Sequence, residues 1–241
     1  MRVNREKCVG CGQCVMFCPM DCFEMRDGSA LINENECVDC GVCLKSARCP
    51  AGALFMPEEN FEYPRAIRMQ FSDPTVKHPR QNTGGRGTEE AKTNDVTAKF
   101  RRGEYGLMLE FGRPCVGVWL KEIEKVTKRM YELGIEILDD NPIFGLLDDD
   151  GSGNLKKEFA DEKVLSTILE LKISGEDELM SSLERILPIL DTMNTVVSVG
   201  IVTRFDDGGG LALVDRLENA GIPVRPAAKI NVGLGRPLKR D

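Results

Sequence analysis

The sequence predicts an α+β chain in three parts: a small cysteine-dense domain over residues 1–56, an extended connector over 57–104, and an α/β sandwich of order βαββαβ over 105–241. Three observations predict it. Nine of the ten cysteines fall between Cys8 and Cys49. From Ser72 to Glu104 the chain is polar and broken by Pro74, Pro79, Gly84, Gly85 and Gly87. Beyond Tyr105 the apolar pattern switches between the strand period and the helix period.

The cysteine block repeats itself. CVGCGQCVMFCPMDCFEM starts at Cys8 and CVDCGVCLKSARCPAGALFM at Cys37, an offset of 29 residues. The second copy carries two extra residues before Cys49-Pro50, and alignment on the Cys-Pro pairs sets Cys22 opposite Ala53. Between the copies, Asp27-Gly28 and Asn33 to Glu36 read as turns around a short strand at Ala30–Ile32. In the connector, Phe61, Tyr63, Ile67, Met69 and Phe71 alternate and predict a strand, which Pro64 restricts to an edge or to its first half.

In the last part Tyr105–Glu110 reads as a strand and Trp119–Leu133 as a helix stopped by Gly134. Ile135–Leu138 and Leu165–Ile173 follow as strands. Ser174-Gly175-Glu176-Asp177 is a loose capping box. It precedes a helical stripe of Leu179, Leu183, Ile186 and Leu190, bent at Pro188. Thr195–Arg204 reads as a strand, Leu211–Ala220 as a helix stopped by Gly221, and Val224 to Val232 as a final strand. A sheet with helices on one face fits this order, which small regulatory domains of the ACT type share as a fold analogy.

Charge and hydropathy exclude several classes. Lys+Arg total 32 and Asp+Glu 39, a balance of −7, which argues against general nucleic-acid binding. No apolar run has the length of a membrane span. The start MRVNREKCVG has no apolar core like that of a signal peptide, so a cytoplasmic protein is expected. In that compartment clustered cysteines point to a metal site ahead of structural disulfides.

Cys8, Cys11 and Cys14 are followed by Cys18-Pro19; Cys37, Cys40 and Cys43 are followed by Cys49-Pro50. Three cysteines on one tight loop can direct sulfur at three corners of an iron-sulfur cube. The fourth corner needs a thiolate from elsewhere, and thiolates suit iron. Zinc is the main rival, because paired CxxC is also zinc spacing. The third cysteine of each run and the two Cys-Pro pairs favour iron.

On these motifs, residues 1 to about 56 resemble the bacterial two-cluster ferredoxin family. The resemblance implies two [4Fe-4S] clusters. Cluster I would take Cys8, Cys11, Cys14 and Cys49, and cluster II Cys37, Cys40, Cys43 and Cys18. It implies an electron carrier or oxidoreductase subunit, without catalytic residues of its own, in anaerobic metabolism. The partner would be a redox enzyme or flavoprotein, with no nucleic acid and no membrane. The sandwich domain would dock that partner or form a homodimer. Two alternatives stand beside this: a redox enzyme whose C-terminal domain binds a substrate or flavin, and a redox- or ligand-sensing regulator with an ACT-like domain.

Weaker features have bland readings. Cys22 reads as a small buried residue near the cluster ligands, and Cys115 as a packed cysteine. His78, the single histidine, reads as a solvated or hydrogen-bonded loop residue. Thr83 to Thr88 reads as a glycine-rich flexible turn and Arg101-Arg102 as a solvated face. Asp148 to Glu158 starts like an EF-hand loop but misplaces the bidentate acid, so an acidic hairpin turn is expected. Trp119 reads as core or edge packing.

Overall fold

The computed structural model describes residues 1–78 and 99–225. Its N-terminal region is built from short elements. Strand β1 (Arg2–Val3) pairs antiparallel with β4 (Leu54–Phe55), which ties the start of the cysteine block to its end. Between them lie helix α1 (Gln13–Met16), the hairpin β2 (Phe23–Arg26) and β3 (Ser29–Ile32), and helix α2 (Val42–Ser46). The hairpin turns on Asp27-Gly28, both at positive φ, the pairing a two-residue type I′ turn requires. Elements this short bury little. Their core is Met1, Phe23, Ala30, Ala47 and Leu54 with Cys14, Cys22, Cys37 and Cys43 among them.

The alternating stretch 61–71 is not a strand. Residues Glu58–Phe61 form a 3-10 turn, and α3 (Ala66–Ser72) follows. Ile67 and Phe71 lie four apart, so a helix also puts them on one face. Ala66, Arg68, Met69 and Ser72 are buried too. A short helix buried nearly all round carries no helical stripe for the sequence to show. Ile67 and Phe71 enter the core of the α/β domain, so this part of the connector is structural. The glycine-rich turn Thr83 to Thr88 lies outside the described residues.

The α/β domain follows in the order β5 (Glu104–Phe111), β6 (Val118–Trp119), α4 (Leu120–Glu132), β7 (Glu136–Ile137), β8 (Lys163–Val164), β9 (Thr167–Ser174), α5 (Glu176–Leu190), β10 (Val197–Val202) and α6 (Ala212–Asn219). The main sheet is antiparallel with order β10-β5-β9-β7. Leu107 pairs with Leu171 and Leu109 with Leu169, so the apolar residues of the two central strands share a face. Ile123, Val126 and Met130 of α4 and Leu179, Leu183 and Ile186 of α5 join them in one core. The two-stranded sheet β6-β8 sits at the edge beside α3, where the Leu165 N–H donates to Ser72 Oγ at 2.9 Å.

Some details differ from expectation. Ser174 ends β9, and α5 starts from Gly175 at φ 93 without a side-chain cap. Glu176, Asp177 and Glu178 in its first turn complement the helix dipole instead. Val224 and Arg225 are not in a strand, and 226–232 lie outside the described residues. Cys115 is exposed, in a turn at φ 50. His78 is buried, edge-on to Phe71 with ring centroids 5.2 Å apart. Asp148 to Asn154 form an acidic turn closed by a Leu147–Leu155 bridge, with Asp150 accepting from the Ser152 N–H at 2.9 Å, and Glu158 lies beyond it in a 3-10 turn, Lys157–Phe159. Arg102 is exposed and pairs with Asp207 at 2.5 Å. Among the described residues no helix is long and apolar enough to cross a membrane.

Candidate metal centres

Each cysteine run is a loop bent by residues in the left-handed region. Gly10 and Gly12 bend the first at φ 67 and 70; Asp39 and Gly41 bend the second at φ 50 and 69. Gly10 must be glycine, because a Cβ there would sit 2.3 Å from the Gly28 carbonyl oxygen. Each loop runs into a short helix that spans from one cavity to another. Cys14 in α1 faces the first cavity, and Cys18 just beyond it faces the second. Cys43 in α2 faces the second, and Cys49 returns to the first.

The first cavity is therefore lined by Cys8, Cys11, Cys14 and Cys49 with Val3, Ala30, Ala53 and Leu54. The second is lined by Cys18, Cys37, Cys40 and Cys43 with Met1, Phe23 and Ile32. Cys22 lines the second cavity as well. Among the described residues no three Cys, His, Asp or Glu side chains are grouped to hold a single metal ion. Each set of four sulfurs encloses a space instead.

Backbone N–H groups point at the sulfurs. Those of Cys22 and Ala53 donate to Cys18 Sγ and Cys49 Sγ, both at 3.3 Å, and that of Ala30 to Cys8 Sγ at 3.5 Å. Such bonds favour the thiolate. The Ala30 and Gly10 N–H groups hold the Cys8 pKa below its ordinary value, and the Ala53 N–H does the same for Cys49 against a desolvation cost. Cys18 is lowered to about 6, chiefly by a hydrogen bond from the Cys22 thiol. Cys22 is correspondingly raised by its bonds to Cys18 and Cys37. Burial pushes Cys40 up to about 11 and Cys43 up to about 12. A coordinating metal removes those protons outright. Four thiols around a cavity, with N–H donors aimed at them, are a donor set that fits an iron-sulfur cluster.

Residues 1–24 match the family model of the 4Fe-4S binding domain. This segment is a 4Fe-4S ferredoxin domain. Ferredoxin-2 of Desulfomicrobium norvegicum is 45% identical over 29 residues, which are 12% of this chain and 49% of that protein. The chain thus spans about half the length of the curated relative it matches. No solved structure matches the chain. The family match ends before Cys37.

The second cavity is walled by charges that sequence reasoning missed. Asp39, whose side chain is fully buried, accepts from the N-terminal ammonium at 2.6 Å, Arg65 Nε at 2.6 Å and Asn60 Nδ2 at 3.0 Å. Burial opposes its charge, yet Arg65 and the ammonium outweigh burial and hold its pKa below the usual value. Arg68 Nη1 donates to the Cys37 and Asn35 carbonyls, both at 2.7 Å, and its Nε pairs with Glu162 of the α/β domain. Lys163 pairs with Glu36 across the same junction. Trp119 lies there, with Arg68, Lys121 and Lys163 within 5.3–5.7 Å of its ring. Two signals were present: Asp39 stands where the first copy has Gly10, and Arg65 and Arg68 interrupt an apolar stretch.

Proposed function

We propose that this chain carries single electrons through two [4Fe-4S] clusters, to or from a partner redox enzyme. Cys8, Cys11, Cys14 and Cys49 would hold one cluster, and Cys37, Cys40, Cys43 and Cys18 the other. Bound there, each cluster would supply a one-electron redox centre. The observation that carries the reading is the exchange of fourth cysteines between two adjacent four-sulfur cavities. It makes α1 and α2 direct links between the two sites. Cys11 is exposed and Val9 beside it is 67% exposed, so the first cavity offers an electron path to a docked protein. Cys37, Cys40 and Cys43 of the second cavity are buried. The α/β domain serves as the docking platform, in a cytoplasmic, anaerobic setting that suits free thiols.

Anaerobic iron and acid-labile sulfide analysis of the purified chain tests this, with EPR after reduction. About eight irons and eight sulfides per chain are expected from two cubes. Half that content would leave only one loaded cavity, and stoichiometric zinc without sulfide would refute the assignment.

A further inference from the structure

The main sheet has two edges, and they are built differently. At one, β7 is two residues long and Glu136 is exposed, so little backbone is open to pairing. At the other, β10 pairs with β5 from Val197 to Val202, and among the described residues no strand pairs with its outer edge. From Asn194 to Thr203 there is no charge and no proline, the residues that normally guard such an edge. Ser198, Val199 and Gly200 are all exposed, although alternation sends them to opposite faces. Val197 and Ile201 pack against the core, but Val199 between them, on the same face, is 39% exposed. Gly200 is not at positive φ, and a Cβ there would meet only Met108 Cβ among the described residues, at an ordinary 3.8 Å. Nothing described in the chain requires glycine at that position. A glycine inside a strand also marks the close approach of another backbone.

We propose that β10 pairs antiparallel with β10 of a second copy of this chain, about a two-fold axis at Val199, and joins the two main sheets into one. The strand is its own complement about that axis. Val199 faces its counterpart, Val197 faces Ile201 and Ser198 faces Gly200, so all three apolar residues of the core face meet apolar residues. No like charges come together, because the strand carries none. The short β7 cannot receive β10, so copies cannot add head to tail along the sheet; pairing β10 with β10 closes at two. The contact covers Val199, which the helices of its own chain leave open, and it satisfies the free backbone groups of the edge. It does not depend on how many clusters the chain holds.

The test is anaerobic sedimentation equilibrium of the full chain over a range of concentrations. The wild type should show a mass twice that of one chain, falling on dilution. Val199→Lys and Val199→Glu should each sediment as monomers with wild-type circular dichroism, because each sets like charges against one another at the axis. An equal mixture of the two should recover the dimer. A monomeric wild type overturns the inference and gives the edge to another occupant, residues 226–241 of the same chain or a different protein. It is overturned too if either variant alone dimerises as the wild type does, or if the mixture of folded variants stays monomeric. Hydrogen exchange of the wild type keeps the test decisive should a charged variant fail to fold. The β10 amides should exchange more slowly at high protein concentration than at low, and equal rates at both would overturn the pairing.

Discussion

The two cavities share a loop sequence and differ in their surroundings. Val9 is 67% exposed, whereas Val38, at the same place in the repeat, is 1% exposed. Cys11 is exposed and its counterpart Cys40 is buried. The second loop lies under α3 and against the α/β domain, while the first faces outward. A repeat thus encodes two equal sulfur cages, and the rest of the chain makes one a surface site and the other an interior one.

The sharpest way to break this comparison is one substitution made twice. Val38→Glu buries a carboxyl and should cost about 4 kcal/mol, since its pKa must rise by roughly three units to stay neutral. Val9→Glu should stay within about 0.5 kcal/mol of wild type. Urea unfolding of the loaded protein reads both, and equal costs would show that the second loop is not enclosed as described. Next in size is the Arg68 clamp, 4% exposed and paired with Glu162 at 12%. Arg68→Ala strands a nearly buried carboxylate and two carbonyls and should cost about 3 kcal/mol. A loss below about 1 kcal/mol, the size of a surface pair, would mean that the junction does not rest on it.

The smallest effect sharpens the comparison at Asp73, beside the second loop. Burial opposes its charge, but Lys45 Nζ at 2.5 Å and the Thr75 N–H and hydroxyl hold its pKa below the usual value. A folded pKa below the unfolded one gives stability that is present above the unfolded value and lost as pH falls through the folded one. Lys45 is 45% exposed, so Asp73→Asn should cost only about 0.5–1 kcal/mol. That gap should stay constant from about pH 8 to pH 5, above the ordinary Asp value of about 3.9. Urea titrations of both proteins across that range measure it, and a gap already closing above pH 5 would show that Lys45 does not hold the proton off.

Legibility in the sequence followed the range of the interaction. The helix stopped at Gly134 and the long strand ending at Ser174 were readable because an amphipathic period and a left-handed glycine are local signals. The segment 61–71 was misread because α3 is buried on nearly every side, which erases the contrast that periodicity needs. His78 is buried and not solvated, and Cys115 is exposed and not packed, because one residue in a loop carries no pattern to say what covers it. Asp39 was visible only as a departure between the two copies, and its partners Arg65 and Asn60 come from more than twenty residues away.

By itself the sequence determined the sulfur chemistry: three cysteines per loop, a fourth beyond each short helix, and turns that only residues tolerant of positive φ can make. Those are contacts within a few residues, and spacing dictates them. Only the tertiary structure decided that the second cage lies inside the molecule, that Arg68 fastens it to the α/β domain, and that Cys22 lines it. Burial is a property of what distant segments bring, and no local stretch of chain encodes its own cover.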